Sequence, residues 1–142
     1  MRRHKQPLPA NIHTRLKQAQ EVLANNPQVV FAYLFGGLSQ GEPKPLSDVD
    51  IAVYLEDGAN ALTTKLQLIG AITHILGIDE VDVVILNEAP LSLVGRIQQS
   101  ARVLVDKDHN RRLAYESLIR REFADFQVQE QKILYRRFGL GR

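Results

Sequence analysis

Short apolar runs separated by polar segments with glycine or proline dominate the first hundred residues of the chain. The run at residues 29–35 is almost entirely apolar, which predicts a central strand buried on both faces. Further apolar runs at residues 51–55, 81–86 and 103–105 predict three more strands. The first of these strands begins in the polar residues just before position 51.

Between the strands, apolar residues recur at the three- and four-residue spacing of amphipathic helices. We predict helices over residues 11–25, 62–77, 90–100 and 110–138, with Asn11 as an N-cap and Gly139 as the final helix stop. The apolar positions that mark three of these helices are Ile12, Leu16, Ala19 and Leu23; Leu62, Leu66, Ile69, Ile72 and Leu76; and Leu113, Leu118, Phe123, Phe126, Leu134 and Phe138.

The long last helix carries more apolar residues than a small sheet needs to cover. Three interpretations stay open for them: ordinary core, a surface for a partner protein, or the contact of a homo-oligomer.

A chain of 142 residues is long enough for one domain with its own core. We expect a loose basic tail at residues 1–10, then a single domain at residues 11–142 with its core at about 29–105. The chain has no cysteine, which excludes disulfides and thiolate metal sites. We see neither a membrane-spanning run nor a secretory signal, and therefore expect a cytoplasmic protein without membrane contact. A net charge of +2 is too small to indicate nucleic-acid binding.

One segment brings two carboxylates beside a pair of glycines. Gly36 and Gly37 end the first strand, and Asp48 and Asp50 lead into the second. Residues two apart on a strand project to the same face, so both carboxylates are expected together. Adjacent carboxylates repel unless a cation lies between them, and hard oxygen ligands suit Mg²⁺ completed by phosphate oxygens. Because glycine lets backbone N–H groups approach a phosphate, the segment predicts a magnesium and triphosphate site.

A further acid, Asp82, interrupts the apolar run at residues 81–86. We interpret it as part of the same site, because a buried charge is costly unless it is paired or bound to metal. The alternative is a strand-end aspartate that faces solvent.

Together these residues resemble the signature of the polymerase-beta-like nucleotidyltransferase superfamily. That signature is an apolar residue, Gly, then Gly or Ser, about ten residues, Asp-x-Asp, and a third carboxylate on a later strand. The matching positions are Phe35, Gly36, Gly37, Asp48, Asp50 and Asp82. The small size is similar to the minimal (MNT-type) nucleotidyltransferases, which include the antitoxins of HEPN toxin pairs. The resemblance implies an α/β (α+β) fold, with helices packed on a small mixed sheet and a long C-terminal helix.

The resemblance also implies magnesium-dependent transfer of AMP from ATP to a hydroxyl acceptor. Implied catalytic and metal-binding residues, for two Mg²⁺ ions, are Asp48, Asp50 and Asp82, and implied nucleotide-binding residues are Gly36, Gly37 and Ser39. Asp82 would also accept the proton of the attacking hydroxyl. The implied acceptor is a tyrosine of a partner HEPN ribonuclease toxin, which would make this chain an antitoxin.

Two alternatives remain beside this interpretation. Minimal members often read Gly-Ser-Arg where this chain has Gly36-Gly37-Leu38, and the absent arginine leaves open a non-enzymatic antitoxin that acts by binding. An enzyme acting on an aminoglycoside-like small molecule is the other. No stretch predicts a template-binding domain, which argues against direct nucleic-acid binding.

Overall fold

The computed structural model describes residues 11–36 and 49–138. Every predicted helix and strand is present there, with ends within two residues of the prediction. The elements in chain order are α1 (Ile12–Asn25), β1 (Val29–Phe35), β2 (Val49–Leu55), α2 (Ala61–Leu76), β3 (Val81–Ile85), α3 (Leu91–Ser100), β4 (Arg102–Asp106) and α4 (His109–Phe138). The predicted basic tail at residues 1–10 and the helix stop at Gly139 lie outside the described residues.

The four strands form one mixed sheet in the order β3-β2-β1-β4. The strand β1 pairs antiparallel with both β2 and β4, and β2 pairs parallel with β3. Six of the seven residues of β1 are buried, as its continuous apolar sequence predicts for a central strand. The predicted α/β (α+β) architecture with a small mixed sheet is confirmed.

Helices cover both faces of the sheet. One face packs against α1 and α2, where Ile51, Val53 and Val83 meet buried residues such as Leu16 and Leu68. The other face packs against α3 and the first half of α4, in a cluster that contains Phe31, Tyr33, Ala52, Val94, Ile97 and Ile119. No helix in the described part of the chain is both long enough and apolar enough to cross a membrane.

The predicted apolar stripe of α2 is wrong in its first half. Leu62 and Leu66 are 67% and 60% exposed, whereas the buried residues of the helix are Thr64, Leu68, Ile72 and Leu76. The helix is apolar over a wide arc, so more than one stripe fits its sequence. Packing against α1 and β3 selects the stripe that repeats every four residues.

The end of α2 is capped as predicted. Gly77 adopts a left-handed conformation with φ 68°, and its N–H donates to the Thr73 carbonyl. Arg15 of α1 donates from Nη1 to the Leu76 carbonyl at 3.2 Å, in the space that a side chain at Gly77 would occupy. The helix end therefore also joins α1 to α2.

The long helix α4 is only partly core. Phe123 is buried as predicted, but Leu113, Leu118 and Leu134 are exposed, which excludes the ordinary-core interpretation for those positions. Leu113 and Leu118 lie away from the side of the helix that packs Tyr115 and Ile119 on the sheet. For Leu134 the cause is length: thirty residues of helix span about 45 Å, three times the length of the neighbouring α3. The second half of α4 therefore continues past the sheet.

A partly buried polar network fixes α4 to the sheet. The Tyr33 hydroxyl of β1 donates to a Glu116 carboxylate oxygen at 2.5 Å, and Arg112 Nη1 donates to the same oxygen at 2.8 Å. Arg112 Nε also lies 3.0 Å from Asp106 at the end of β4. Burial and the hydrogen bond to Glu116 raise the pKa of Tyr33, and burial raises the pKa of Tyr115.

These two phenols predict a loss of stability at high pH. Their pKa values in the folded state lie above the ordinary 10.0, so their contribution is complete below pH 10 and falls as the pH rises beyond it. We expect urea unfolding at a pH of about 11 to increase tyrosinate absorbance, and Tyr33→Phe to reduce that increase. Equal absorbance of native and unfolded protein at that pH would contradict the burial of the phenols.

Candidate active site

Three of the predicted site residues meet at one end of the sheet. The end of β1 lies beside the start of β2, and the start of β2 lies beside the start of β3. Phe35 pairs with Asp50, and Asp50 pairs in turn with Asp82. Gly36 follows Phe35 directly, so Gly36, Asp50 and Asp82 occupy adjacent positions across three strands.

Asp50 and Asp82 project from the same face of the sheet. They are directly paired on neighbouring parallel strands, whose backbones lie about 4.8 Å apart. The next residues on that face, Ala52 and Val84, belong to the cluster under α3 and α4. The two carboxylates therefore stand at the open end of the α3–α4 side of the sheet.

Burial of the neighbouring residues holds the two acids in place. Val49 and Ile51 are fully buried on the opposite face, and Asp50 between them is half-buried. Val81 and Val83 are likewise buried on either side of Asp82 and hold its backbone in place, whereas the side chain of Asp82 is exposed. The prediction that Asp82 is a buried charge is therefore wrong, because its side chain leaves the core at the end of the sheet. Its pairing with Asp50, rather than burial, supports a role in the site.

Gly36 is required by both conformation and space. Its φ is +80°, a value that side chains disfavour, and a Cβ atom there would lie 2.6 Å from Asp50 Oδ2. From the sequence, we predicted that Gly36 binds phosphate, and its contact with Asp50 was not predicted. Because Gly36 has no side chain, the Asp50 carboxylate can lie against the backbone of Gly36.

The other predicted site residues, Gly37, Ser39 and Asp48, lie outside the described residues. Within residues 11–36 and 49–138, no three His, Cys, Asp or Glu side chains are close enough together to hold a metal ion. Asp50 and Asp82 nevertheless fit Mg²⁺, because they are paired hard oxygen donors on one face, and Mg²⁺ commonly takes one or two carboxylates and keeps several waters. Asp48, two residues before Asp50, is the predicted third ligand.

A cavity of about 470 Å³ lies on the same side of the sheet as Asp50 and Asp82, although neither acid lines it, and it was not predicted from the sequence. It opens between β4, α3 and α4, and its residues include Tyr33, Gln98, Arg112, Glu116, Ile119 and Phe123. Tyr33 precedes Phe35 by two residues on the same face, so it is a diagonal neighbour of Asp50. For this cavity, the only signal in the sequence is the four-residue spacing of Arg112 and Glu116, which is typical of an ion pair on a helix.

Gln98, in the wall of this cavity, donates from Nε2 to the Glu116 carbonyl at 2.7 Å. Its Oε1 is buried away from solvent and has no hydrogen-bond partner among the residues that the structure describes.

Comparison with known families finds a profile described as "Polymerase beta, Nucleotidyltransferase", which matches residues 17–110. The match covers well over half of the chain and includes all six predicted site residues. No curated protein sequence matches significantly.

Solved structures share the fold. The MNT antitoxin in complex with the tri-AMPylated Shewanella oneidensis HEPN toxin is 21% identical, with a TM-score of 0.68 over 86% of this chain and 94% of that chain. A toxin–antitoxin complex, MntA-HepT, is 21% identical, with a TM-score of 0.66 over 86% of this chain and 95% of that chain. A toxin–antitoxin structure with AMP-PNP is 23% identical, with a TM-score of 0.62 over 83% of this chain and 91% of that chain.

The contact between Gly36 and Asp50 predicts an unequal effect of two glycine substitutions. Gly58 has a similar φ of +82° but nothing within 4 Å of the position that a Cβ atom would take, so Gly58→Ala should cost only the backbone strain of about 1–2 kcal/mol. Gly36→Ala should lower the free energy of unfolding further, because its methyl group also displaces Asp50. Urea unfolding measures both. Equal costs would mean that Asp50 moves aside without penalty.

Proposed function

Because the chain belongs to the polymerase beta nucleotidyltransferase family, we propose that it is a magnesium-dependent enzyme that transfers AMP from ATP to a hydroxyl group. The observation that carries the proposal is the pairing of Asp50 with Asp82 on one face of the sheet, beside Gly36. Two carboxylates held this close by strand register favour a cation between them.

Asp48, Asp50 and Asp82 are the proposed ligands of two Mg²⁺ ions. Such ions, when bound, neutralise the triphosphate and stabilise the attacking and leaving oxygens. The half-buried Asp50 is the rigid member of the set, since its two strand neighbours are anchored in the core. Gly36, Gly37 and Ser39 would bind the phosphates through backbone N–H groups and one hydroxyl.

Asp82 is the proposed general base. Its exposed side chain is accessible to an acceptor that approaches from solvent. The acceptor oxygen forms a bond to the α-phosphorus, and the bond from that phosphorus to the oxygen bridging to the β-phosphorus breaks. Pyrophosphate leaves, and the proton of the hydroxyl passes to the Asp82 carboxylate.

The proposed acceptor is a tyrosine of a HEPN ribonuclease toxin, which AMP transfer would silence. Support comes from the solved complexes that share this fold, one of which contains an AMPylated HEPN toxin. In this proposal the chain is the antitoxin of a cytoplasmic pair.

Removing either acid should abolish transfer without unfolding the chain. We expect Asp50→Asn and Asp82→Asn to slow label transfer from ATP marked at the α-phosphate by about 10²–10⁴-fold. Asp57→Asn is the matched control, since Asp57 is an exposed acid just beyond the opposite end of β2. Normal transfer by the Asp50→Asn enzyme would exclude this site.

The same assay separates the alternatives. Label on one protein of the host lysate, or on the product of the neighbouring gene, identifies a protein acceptor. Label on a small molecule favours the alternative of an enzyme that acts on an aminoglycoside-like compound. Tight binding of a toxin without any label favours an antitoxin that acts by binding alone.

A further inference from the structure

A cavity between α1 and β4 is lined by basic side chains and has no role in the proposed reaction. Its volume is about 280 Å³, and the residues that line it are His13, Leu16, Lys17, Gln20, Arg102, Val103 and Leu104. These lining residues include no Asp or Glu. His13, Lys17 and Arg102 are exposed, and within the described ranges their side chains form no hydrogen bond or ion pair. The cavity therefore carries positive charge that the described part of the chain does not neutralise.

The cavity lies at the same end of the sheet as the proposed phosphate-binding glycine, Gly36. Arg102, the first residue of β4, pairs with Leu34 of β1. Gly36 follows Leu34 by two residues, or about 7 Å of extended chain, a distance that an arginine side chain spans. The acids Asp50 and Asp82 stand at this end too, but on the opposite face of the sheet. A ligand at Gly36 is therefore close to the basic cavity.

The helix α1 brings its own basic residues to this end. Gln20 donates from Nε2 to the Leu104 carbonyl, so α1 runs beside β4 and its first turns lie near the start of that strand. His13 and Lys17 are four residues apart on one side of the helix and line the cavity together with Arg102. The first turn of α1 carries no acid that would offset their charge.

The chemistry of these side chains identifies the class of ligand. A cleft lined by charges of one sign concentrates counter-ions of the other sign. The planar guanidinium group of Arg102 matches two phosphate oxygens at once, and the ammonium group of Lys17 binds phosphate as a point charge. A compact anion with charge on each of several phosphate groups contacts both cations together. We propose that the cavity between α1 and β4 binds a polyphosphate group through Arg102 and Lys17.

Two sources supply such a group. One is the pair of terminal phosphates of ATP held at Gly36, and this source rests on the proposed function. Arg102 would then provide the positive charge that minimal family members often take from an arginine where this chain has Leu38. The other source is free polyphosphate, which requires no nucleotide transfer.

Isothermal titration calorimetry of the full chain with sodium tripolyphosphate tests the site. EDTA in the buffer removes Mg²⁺, so Asp50 and Asp82 repel the anion and binding reports on the basic cavity. The native chain should bind, and Arg102→Ala should weaken binding about tenfold, because it removes charged hydrogen bonds. Arg121→Ala is the matched control, since it removes an exposed arginine of α4 that does not line this cavity. Its affinity should stay close to the native value.

Two further variants separate charge from structure. Lys17→Ala should weaken binding by a similar factor, and Arg102→Lys should recover part of the loss, because it restores the charge without the planar fork. Thermal melts of these variants should match the native melt, since both side chains are exposed. A native chain that does not bind tripolyphosphate, or equal losses in Arg102→Ala and Arg121→Ala, would overturn the proposal.

Binding of AMP-PNP and of AMP, both with Mg²⁺, distinguishes the two sources. If the terminal phosphates of a nucleotide occupy the cavity, Arg102→Ala should weaken binding of AMP-PNP at one site per chain and leave binding of AMP unchanged. Unchanged binding of both nucleotides, together with the loss of tripolyphosphate, assigns the cavity to free polyphosphate.

The calorimetry does not depend on nucleotide transfer. A chain that transfers no label but binds tripolyphosphate through Arg102 would refute the proposed function and keep this site. An active chain whose affinity for tripolyphosphate is the same with and without Arg102 would do the reverse.

Discussion

The register of β1 against β2 is the constraint on which the site depends. It is fixed because a slip of β2 by one residue would turn Asp50 into the face that packs against α1 and α2, where Val49 and Ile51 are fully buried. The same register places Gly36 where Asp50 needs space, and the parallel pairing of β2 with β3 adds Asp82. The position of the acids is thus a property of the core rather than of a loop.

A second set of interactions fixes α3 and α4 to the sheet. The carboxylate of Glu116 accepts hydrogen bonds from Tyr33 in the sheet and from Arg112 one helical turn earlier. Its backbone carbonyl accepts a hydrogen bond from Gln98 of α3. One residue therefore joins the sheet, α3 and α4 where the cavity forms. Gln98 Oε1, by contrast, has no hydrogen-bond partner among the described residues.

Periodicity predicted the elements well because each helix and strand has a strong local pattern. Asp50 could be placed in the site from local spacing, since the residues that flank it are apolar and enter the core. Gly36 was predicted to bind phosphate, and the structure adds a contact with Asp50 that the sequence interpretation did not contain. Its contact with Asp50 depends on a pairing between two strands, which local sequence patterns do not contain.

The incorrect or absent predictions also arise where the structure depends on contacts between distant parts of the chain. Leu62 and Leu66 fit a helical stripe as well as their buried neighbours do, and only the packing of α1 and β3 distinguishes them. Asp82 was expected to be buried because its neighbours are apolar, yet a strand end exposes alternate residues. The cavity beside Tyr33 depends on three elements that are distant in sequence, which leaves only the Arg112–Glu116 spacing as a local signal.

The parallel pairing of β2 with β3 also has a kinetic consequence. Asp50 and Asp82 are separated in the chain by the whole of α2, so their contact requires the closure of a long loop and the docking of a helix. Contacts of this kind contribute to slow folding, whereas the local turns of α2 and α4 form rapidly. The pairing of the acids is thus one of the non-local contacts of the fold, and its formation costs the loop-closure entropy that the turns of α2 and α4 do not.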